Sequence, residues 1–503
     1  MKNVKEWAES RIIQSQIDKY LNKDGSHFID ENLIFSALRQ ARLRQAQPAD
    51  EKIYIREVIA KSKSLETLLP EETAALLNCE DGELIAEMEK AALEIKLKVY
   101  DNRIVSFAPL YLSSKCVNSC KYCSFREENA SAVRRVLTMP EIEREIKTLA
   151  GEIGHKRLIA VFGEHPESDA NYIAESLKTI YNAKYKTRKG FGQIRRVNVN
   201  AAPMSIEDLR ILKDVGIGTY QVFQETYHRQ SYEKLHPANS VKGNFLWRLY
   251  AMHRAYDAGI DDVGIGSLYG LYDWKFEVMA ALLHARELEA KFGVGPHTIS
   301  FPRLEHADNA PGLEQTKSTH LTDEQFKKVV LCIRLSVPYT GMILTARENQ
   351  KIRDQIIPLG ITQTDASSKI GLGAYSEVDY TKQDAVRQQF ILGDTRSLDE
   401  VVRSLAKQGF ITSFCTAGYR CGRTGQTILD ALKSGHEGQF CKLNAIITYR
   451  EWLDDFASPE TIALAEPIIE KEIAEVKVKN PKMYNALLDY YEKTKSGDRD
   501  LYF

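Results

Sequence analysis

Apolar residues recur at three- and four-residue spacing through the first 90 positions, as in Glu57-Val58-Ile59-Ala60 and Leu84-Ile85-Ala86-Glu87-Met88, with breaks at Pro70 and Asp81-Gly82. This periodicity predicts an N-terminal helical extension over 1–90. From about residue 104 the pattern changes to short β-rich runs at 104–112, 157–162, 196–200, 219–224, 262–265 and 297–301. Helical patterns lie between them, among others at 139–153, 169–182 and 206–215. Strands alternating with helices at this interval imply a parallel sheet, and roughly six to eight such units predict an α/β fold, a (β/α)8 TIM-type barrel over 91–376. The barrel's exit is expected at the polar stretch 376–387, after Gly371-Leu-Gly-Ala-Tyr375. A mainly helical C-terminal domain, 377–503, follows and holds three more cysteines.

In a barrel of this kind the chemistry sits at strand C-termini and the loops that follow them. The loop after the first β run carries Lys115-Cys116-Val-Asn-Ser-Cys120-Lys-Tyr-Cys123, a Cys-x3-Cys-x2-Cys triad. Three thiolates at this spacing can hold three irons of a [4Fe-4S] cluster and leave the fourth open. The open iron can chelate S-adenosyl-L-methionine (SAM), and reductive cleavage then yields a 5′-deoxyadenosyl radical, chemistry that side chains alone lack. A zinc knuckle is the competing reading, but such sites take four ligands in paired spacings.

Charge and cysteine usage narrow the setting. Lys and Arg number 68 against 69 Asp and Glu, so neither nucleic acid nor an anionic membrane is expected as a partner. Eight cysteines in 503 residues are too few and too unevenly placed for a disulfide scaffold, and cluster ligation needs reduced thiols. The first residues lack the apolar run of a signal peptide and no stretch approaches 18 uninterrupted apolar residues. A protein of the reducing, oxygen-poor cytoplasm is expected.

Other strand-end groups are candidates for binding and catalysis. Gly163-Glu164 follows the second β run, where the carboxylate can hold the SAM ammonium or simply form a turn. Tyr122 can lie along the adenine or pack. Asn198 and Asn200 alternate on one strand face, and buried amides need partners, from a bound ribose or amino acid or from a structural network. Gln224, Glu225 and Tyr227, in Gln-Glu-Thr-Tyr-His228, close another strand with polar and aromatic groups expected to serve catalysis. Arg303, at the end of a strand, suits bidentate capture of an α-carboxylate, and His297 suits a metal, a phenol or an ordinary hydrogen bond.

Longer runs are more specific than the triad. Arg195-Arg-Val-Asn-Val-Asn200, Gly216-Ile-Gly-Thr-Tyr220, Phe223-Gln-Glu-Thr-Tyr-His228, Gly259-Ile-Asp-Asp-Val-Gly-Ile-Gly266, Gly293-Val-Gly-Pro-His-Thr-Ile-Ser300, Val337-Pro-Tyr-Thr-Gly-Met342, the segment from Ser413-Phe-Cys-Thr-Ala417 and the final Gly497-Asp-Arg-Asp-Leu-Tyr-Phe503 resemble the HydG family of radical SAM tyrosine lyases. The resemblance spans nearly the whole chain. It implies cleavage of L-tyrosine to p-cresol and dehydroglycine after hydrogen abstraction at the amino group. It also implies conversion to CO and cyanide on a labile iron at a second, C-terminal cluster, for [FeFe]-hydrogenase maturation, with His297 a candidate ligand to that iron. A ferredoxin or flavodoxin as electron donor, and other hydrogenase maturation proteins, are the implied partners.

The chain departs from the family at that second cluster. The family's Cys-x2-Cys-x22-Cys motif begins at Cys415 and ends at Cys441, but its middle position is Gly418. Cys421 stands three residues on, so either the loop re-registers to use Cys415, Cys421 and Cys441, or the cluster is altered or absent. His165, the segment 302–306 and the segment 366–371 also depart from the family pattern. Two further readings follow: a paralogue that cleaves an aromatic amino acid without making CO or cyanide, and a non-catalytic Fe–S carrier or scaffold.

Overall fold

A computed structural model describes residues 4–377, 383, 386–434 and 437–503. Eleven strands are present among the described residues: β1 Arg103–Ser113, β2 Arg157–Phe162, β3 Lys184–Lys186, β4 Phe191–Gln193, β5 Arg196–Asn200, β6 Tyr220–Gln221, β7 Val263–Gly266, β8 Thr298–Ser300, β9 Gly341–Leu344, β10 Gln363–Asp365 and β11 Ile411–Ser413. β1, β2 and β5 to β10 are each parallel to their neighbours, and β10 pairs back onto β1. The eight strands therefore close into an α/β barrel. β3 and β4 form a separate antiparallel hairpin.

β1 is the longest strand because it serves two partners along one edge. Ala108–Ser113 pairs with β2, while Arg103–Val105 pairs with β11 from the C-terminal region. Its alternate residues Arg103, Val105, Phe107, Pro109, Tyr111 and Ser113 face inward, the first two at the lower end of the barrel and the rest at the upper mouth.

Predicted and observed elements differ locally. The helix Gly82–Tyr100 runs across the expected domain boundary at residue 90. Pro70 and Asp81, read as breaks, instead start helices: Pro70 occupies the first turn of Pro70–Asn78, and the Asp81 carboxylate accepts from the backbone N–H groups of Glu83 and Leu84. The single helix expected over 139–153 is an α-helix, Met139–Ile146, continued as a π-helix, Lys147–Ile153, which Gly154 ends in left-handed conformation (φ 90°). The run at 219–224 gives only a two-residue β6. Its pairing continues past β6 through Gln224, whose N–H donates to the Gly266 carbonyl (3.0 Å), to Glu225, at φ 71°, whose carbonyl accepts from Leu268 N–H (2.8 Å).

The N-terminal segment packs on the cluster-motif loop. Ile17, Tyr20, Val117, Val241, Trp247 and Tyr250 form an apolar group apart from the main core, with Trp7 against it. The C-terminal helix Glu437–Phe456 is tied to the barrel by a buried charge network: Glu451 accepts from Lys156 Nζ (2.8 Å) and Arg195 Nη1 (3.0 Å). Trp452 Nε1 donates to the Ile153 carbonyl (3.1 Å). No described helix is long and apolar enough to cross a membrane.

Candidate active site

The upper mouth of the barrel is a cavity of about 240 Å³, and Cys116, Cys120 and Cys123 all line it. The loop bearing them is held at several points. Val117 N–H donates to the Glu164 carbonyl (2.8 Å) and Lys121 N–H to the Leu235 carbonyl (3.1 Å). Asn118 Oδ1 accepts from Lys242 N–H (2.8 Å), while Asn118 Nδ2 donates to Glu164 Oε2 (2.6 Å) and to Cys116 Sγ (3.6 Å). Gln389 Nε2 donates to Cys123 Sγ (3.5 Å), while Gln389 Oε1 accepts from the Tyr111 hydroxyl (2.9 Å). Hydrogen bonds to the sulfurs are one means by which a protein sets a cluster's potential.

The end of β2 comes close enough to this loop that only glycine fits at 163. A Cβ there would lie 2.1 Å from the Lys115 carbonyl oxygen. The close approach sets Glu164 beside the triad. Burial raises the Glu164 carboxyl, and Asn118, Arg11, Arg248 and Lys242 draw it back. One of its oxygens, Oε1, is buried with no hydrogen-bond partner.

These groups fit a SAM-binding [4Fe-4S] cluster. Three thiols on one loop share a cavity, and a buried carboxylate oxygen without a partner stands beside them to receive an ammonium. Burial pushes the Cys116 thiol up, and pushes Cys120 up to about 12. Bound iron acts in the opposite sense, because it favours the thiolate.

The remaining predicted residues divide between mouth and interior. Tyr122 lines the mouth with its hydroxyl bonded to His236 Nε2 (2.8 Å), and Asn200 lines it from β5. Glu225 lines it too, in a left-handed backbone conformation rare for a non-glycine residue. Burial would raise its carboxyl, but Lys242 (2.6 Å) and Arg248 (3.3 Å) more than offset this and hold it below the ordinary range. Gln224 and Tyr227 do not line the cavity. The Tyr227 hydroxyl meets His284 Nδ1 (2.7 Å), a structural bond against the helix Trp274–Phe292. Asn198 turns toward the lower end, where its Oδ1 accepts from Thr219 N–H (3.0 Å) and Arg157 Nη2 (3.3 Å).

Arg303 departs most from its expected role. Its fork grips the Glu348 carboxylate through Nε (2.8 Å) and Nη2, Nη1 reaches Asp323 (2.8 Å), and the guanidinium lies over Phe326. It is occupied in holding the loop after β8 and does not line the cavity. Arg347, missed in the sequence, lines it instead. Its guanidinium sits 3.3 Å from the centre of the Phe390 ring and makes no hydrogen bond or ion pair among the described residues. Burial pulls it below the usual arginine value. Lys242, Arg248 and Glu305 also line the mouth and were missed. Arg347 stands three residues past the end of β9, a strand-end signal that could have found it. Lys242 and Arg248 come from the helical excursion after β6 and carry no local signal.

At the lower end a smaller cavity, about 40 Å³, is lined by Cys415, Gly418, Cys441, His297 and Asp262 among others. Cys415 has left-handed backbone (φ 44°). His297 Nε2 lies 3.9 Å from Asp262 Oδ2. Cys421 does not join them: it is exposed and its thiol faces the Phe503 carbonyl (3.6 Å). The re-registered set Cys415, Cys421 and Cys441 is therefore not assembled. Helical hydrogen bonds over Ala417–Arg420 fix the loop with Gly418, not Cys421, toward the cavity. The residues present do not fit a three-cysteine cubane.

Comparison with known proteins agrees with this geometry. Residues 110–283 match the Radical SAM superfamily, and 300–411 match the Biotin and Thiamin Synthesis associated domain. A 2-iminoacetate synthase of Salmonella typhimurium is 30% identical over 355 residues, covering 70% of this chain and 88% of that protein. A solved structure described as HydG, a maturase of the [FeFe]-hydrogenase, superposes with a TM-score of 0.87 at 45% identity, over 95% of this chain and 100% of that one. HydG from Carboxydothermus hydrogenoformans gives 0.74 at 36% identity, over 92% and 99%. A cluster loop at the mouth of a closed parallel barrel, with likeness to these enzymes over nearly the full length, means that the chain belongs to the HydG family of radical SAM carbon–carbon lyases.

Proposed function

We propose that this enzyme cleaves the Cα–Cβ bond of L-tyrosine to p-cresol and 2-iminoacetate and stops there, without releasing CO or cyanide. The single observation carrying the first half is the upper mouth. The triad, Glu164 and an arginine that makes no hydrogen bond or ion pair among the described residues line one cavity. Cys116, Cys120 and Cys123 would hold the [4Fe-4S] cluster, which with SAM would supply the hydrogen-abstracting radical. Glu164 Oε1 would receive the SAM ammonium, with Asn118 keeping the other carboxylate oxygen oriented.

Arg347 would take the substrate carboxylate, since a guanidinium already stripped of water gains most from a bidentate anion. Its stack on Phe390 fixes the plane of the fork. Tyr111, Phe125 and Phe390 give the cavity aromatic walls suited to a phenol ring. The 2-iminoacetate synthase relatives support tyrosine as the substrate. Glycine at 418 and a thiol at 421 turned to the surface support the shorter reaction.

Product analysis on reconstituted enzyme with tyrosine and dithionite tests the reading. p-Cresol without CO is expected; CO released in step with p-cresol would restore the complete maturase, and neither product would leave an Fe–S carrier.

A further inference from the structure

On the tyrosine-lyase reading, one proton remains without a destination. An α-amino acid enters with an ammonium bearing three hydrogens, and an imine nitrogen keeps one. Of the two removed, one leaves as a hydrogen atom and the other must leave as a proton. We propose that the Glu305 carboxylate is the base that takes this proton while Arg347 holds the substrate carboxylate.

Four carboxyl groups line the mouth: Glu164, Glu225, Glu305 and Asp365. Three have partners. Glu164 accepts from Asn118, Glu225 is paired with Lys242 and Arg248, and Asp365 accepts from Ser368 (2.6 Å). Glu305 makes no hydrogen bond or ion pair among the described residues. It shares the cavity with Arg347, so a zwitterion's two charges would meet an acid and a base on one wall. The charged groups that act on it are Glu348, Arg347 and Arg303, and Glu348 and Arg303 are bound to each other. Burial first, then Glu348, raises the Glu305 carboxyl, against Arg347 and Arg303, to about 7. A carboxylate so poised can accept a proton from an ammonium brought into contact with it.

The step is a plain proton transfer. The substrate N–H bond breaks heterolytically, its electron pair stays on nitrogen, and an O–H bond forms on Glu305. The neutral amine is then ready to lose a hydrogen atom, and nothing is oxidised or reduced until it does.

Glu305→Gln keeps the shape and removes the base, and Glu305→Asp keeps the base. At pH 7 the Gln variant should make p-cresol about 100-fold more slowly, the usual scale for a lost general base, with 5′-deoxyadenosine still forming. Its rate should climb with pH toward the range where the amino acid's own amine is free, whereas wild type and Glu305→Asp should show a limb near neutrality. Equal p-cresol rates and one shared pH limb for wild type and the Gln variant would overturn the assignment. So would loss in both variants matched by a fall in melting temperature. If wild type makes no p-cresol, the tyrosine reading fails on its own, and the comparison moves to SAM cleavage stimulated by other L-amino acids. A wild type that no amino acid stimulates overturns the role of Glu305 as well.

Discussion

Single residues decide which arginine meets the substrate and which thiols meet iron. Arg347→Ala should raise the KM for tyrosine and lower kcat/KM by about 10- to 100-fold, the range of one charge-assisted hydrogen-bonded pair, with little change in melting temperature. Arg303→Lys should instead lower the melting temperature and depress SAM cleavage and tyrosine lysis together, because it loosens Glu348 and Asp323. Steady-state kinetics beside a melting curve separate the two. At the lower cavity, a Cβ on Gly418 would lie 3.5 Å from the Arg423 carbonyl, an ordinary contact, so Gly418→Cys should be tolerated. It should add iron and sulfide to the reconstituted protein, whereas Cys421→Ser should change neither. Iron loss on Cys421→Ser would revive the re-registered ligand set.

Elements place these residues, and at this scale the sequence was partly legible. Long runs with clear period, such as β1, β2 and β5 and the helix Ile206–Val215, were readable because their lining is set by local alternation. β9 and β10, of four and three residues, were not, although β7 and β8 of the same lengths were; runs this short carry too little period to be read reliably. The triad could be read from spacing alone. Arg303 could not be told from Arg347, because both end strands and only the acid partners brought by distant segments decide which is free. Asn198 and Asn200 share a face as expected, but a strand face has two ends, and five residues of β5 are enough to send one to each half of the barrel. The junction of β2 with the cluster loop gives a prediction for an element. Gly163→Ala would set a methyl against the Lys115 carbonyl, so the loop must move and the three thiols with it. Reconstituted iron should fall toward zero while far-UV circular dichroism stays unchanged. Full iron loading would show that the loop yields without cost.

For the whole molecule, the join between barrel and C-terminal region rests on Glu451, wholly buried between Lys156 and Arg195. Burial opposes its ionisation, but Arg195 and Lys156 prevail and hold the carboxyl at about 2, while burial pulls Lys156 below its ordinary value despite Glu451. A carboxyl lower in the folded state than its usual 4.5 adds stability that is complete above pH 4.5 and disappears as the pH falls toward 2. The amount is about 3 kcal/mol. Glu451→Gln should therefore cost about 3–5 kcal/mol at neutral pH, since it strands the buried Lys156 and leaves Arg195 only Asp500, and should flatten the acid limb of denaturation between pH 4.5 and 2. Chemical melts at pH 7 and pH 3 check both; an unchanged limb would assign acid sensitivity to other carboxylates.

β1 has a consequence for how such a chain can change over generations. One strand supplies the floor of both cavities with every second side chain, Arg103 and Val105 below and Phe107 to Ser113 above. Substitutions can alter either floor separately. A single inserted or deleted codon cannot, because it turns every position beyond it to the opposite face of the sheet. In lineages of this enzyme β1 should therefore vary freely in residue type yet keep its length, as a reading frame does, with insertions gathering in the loops on either side.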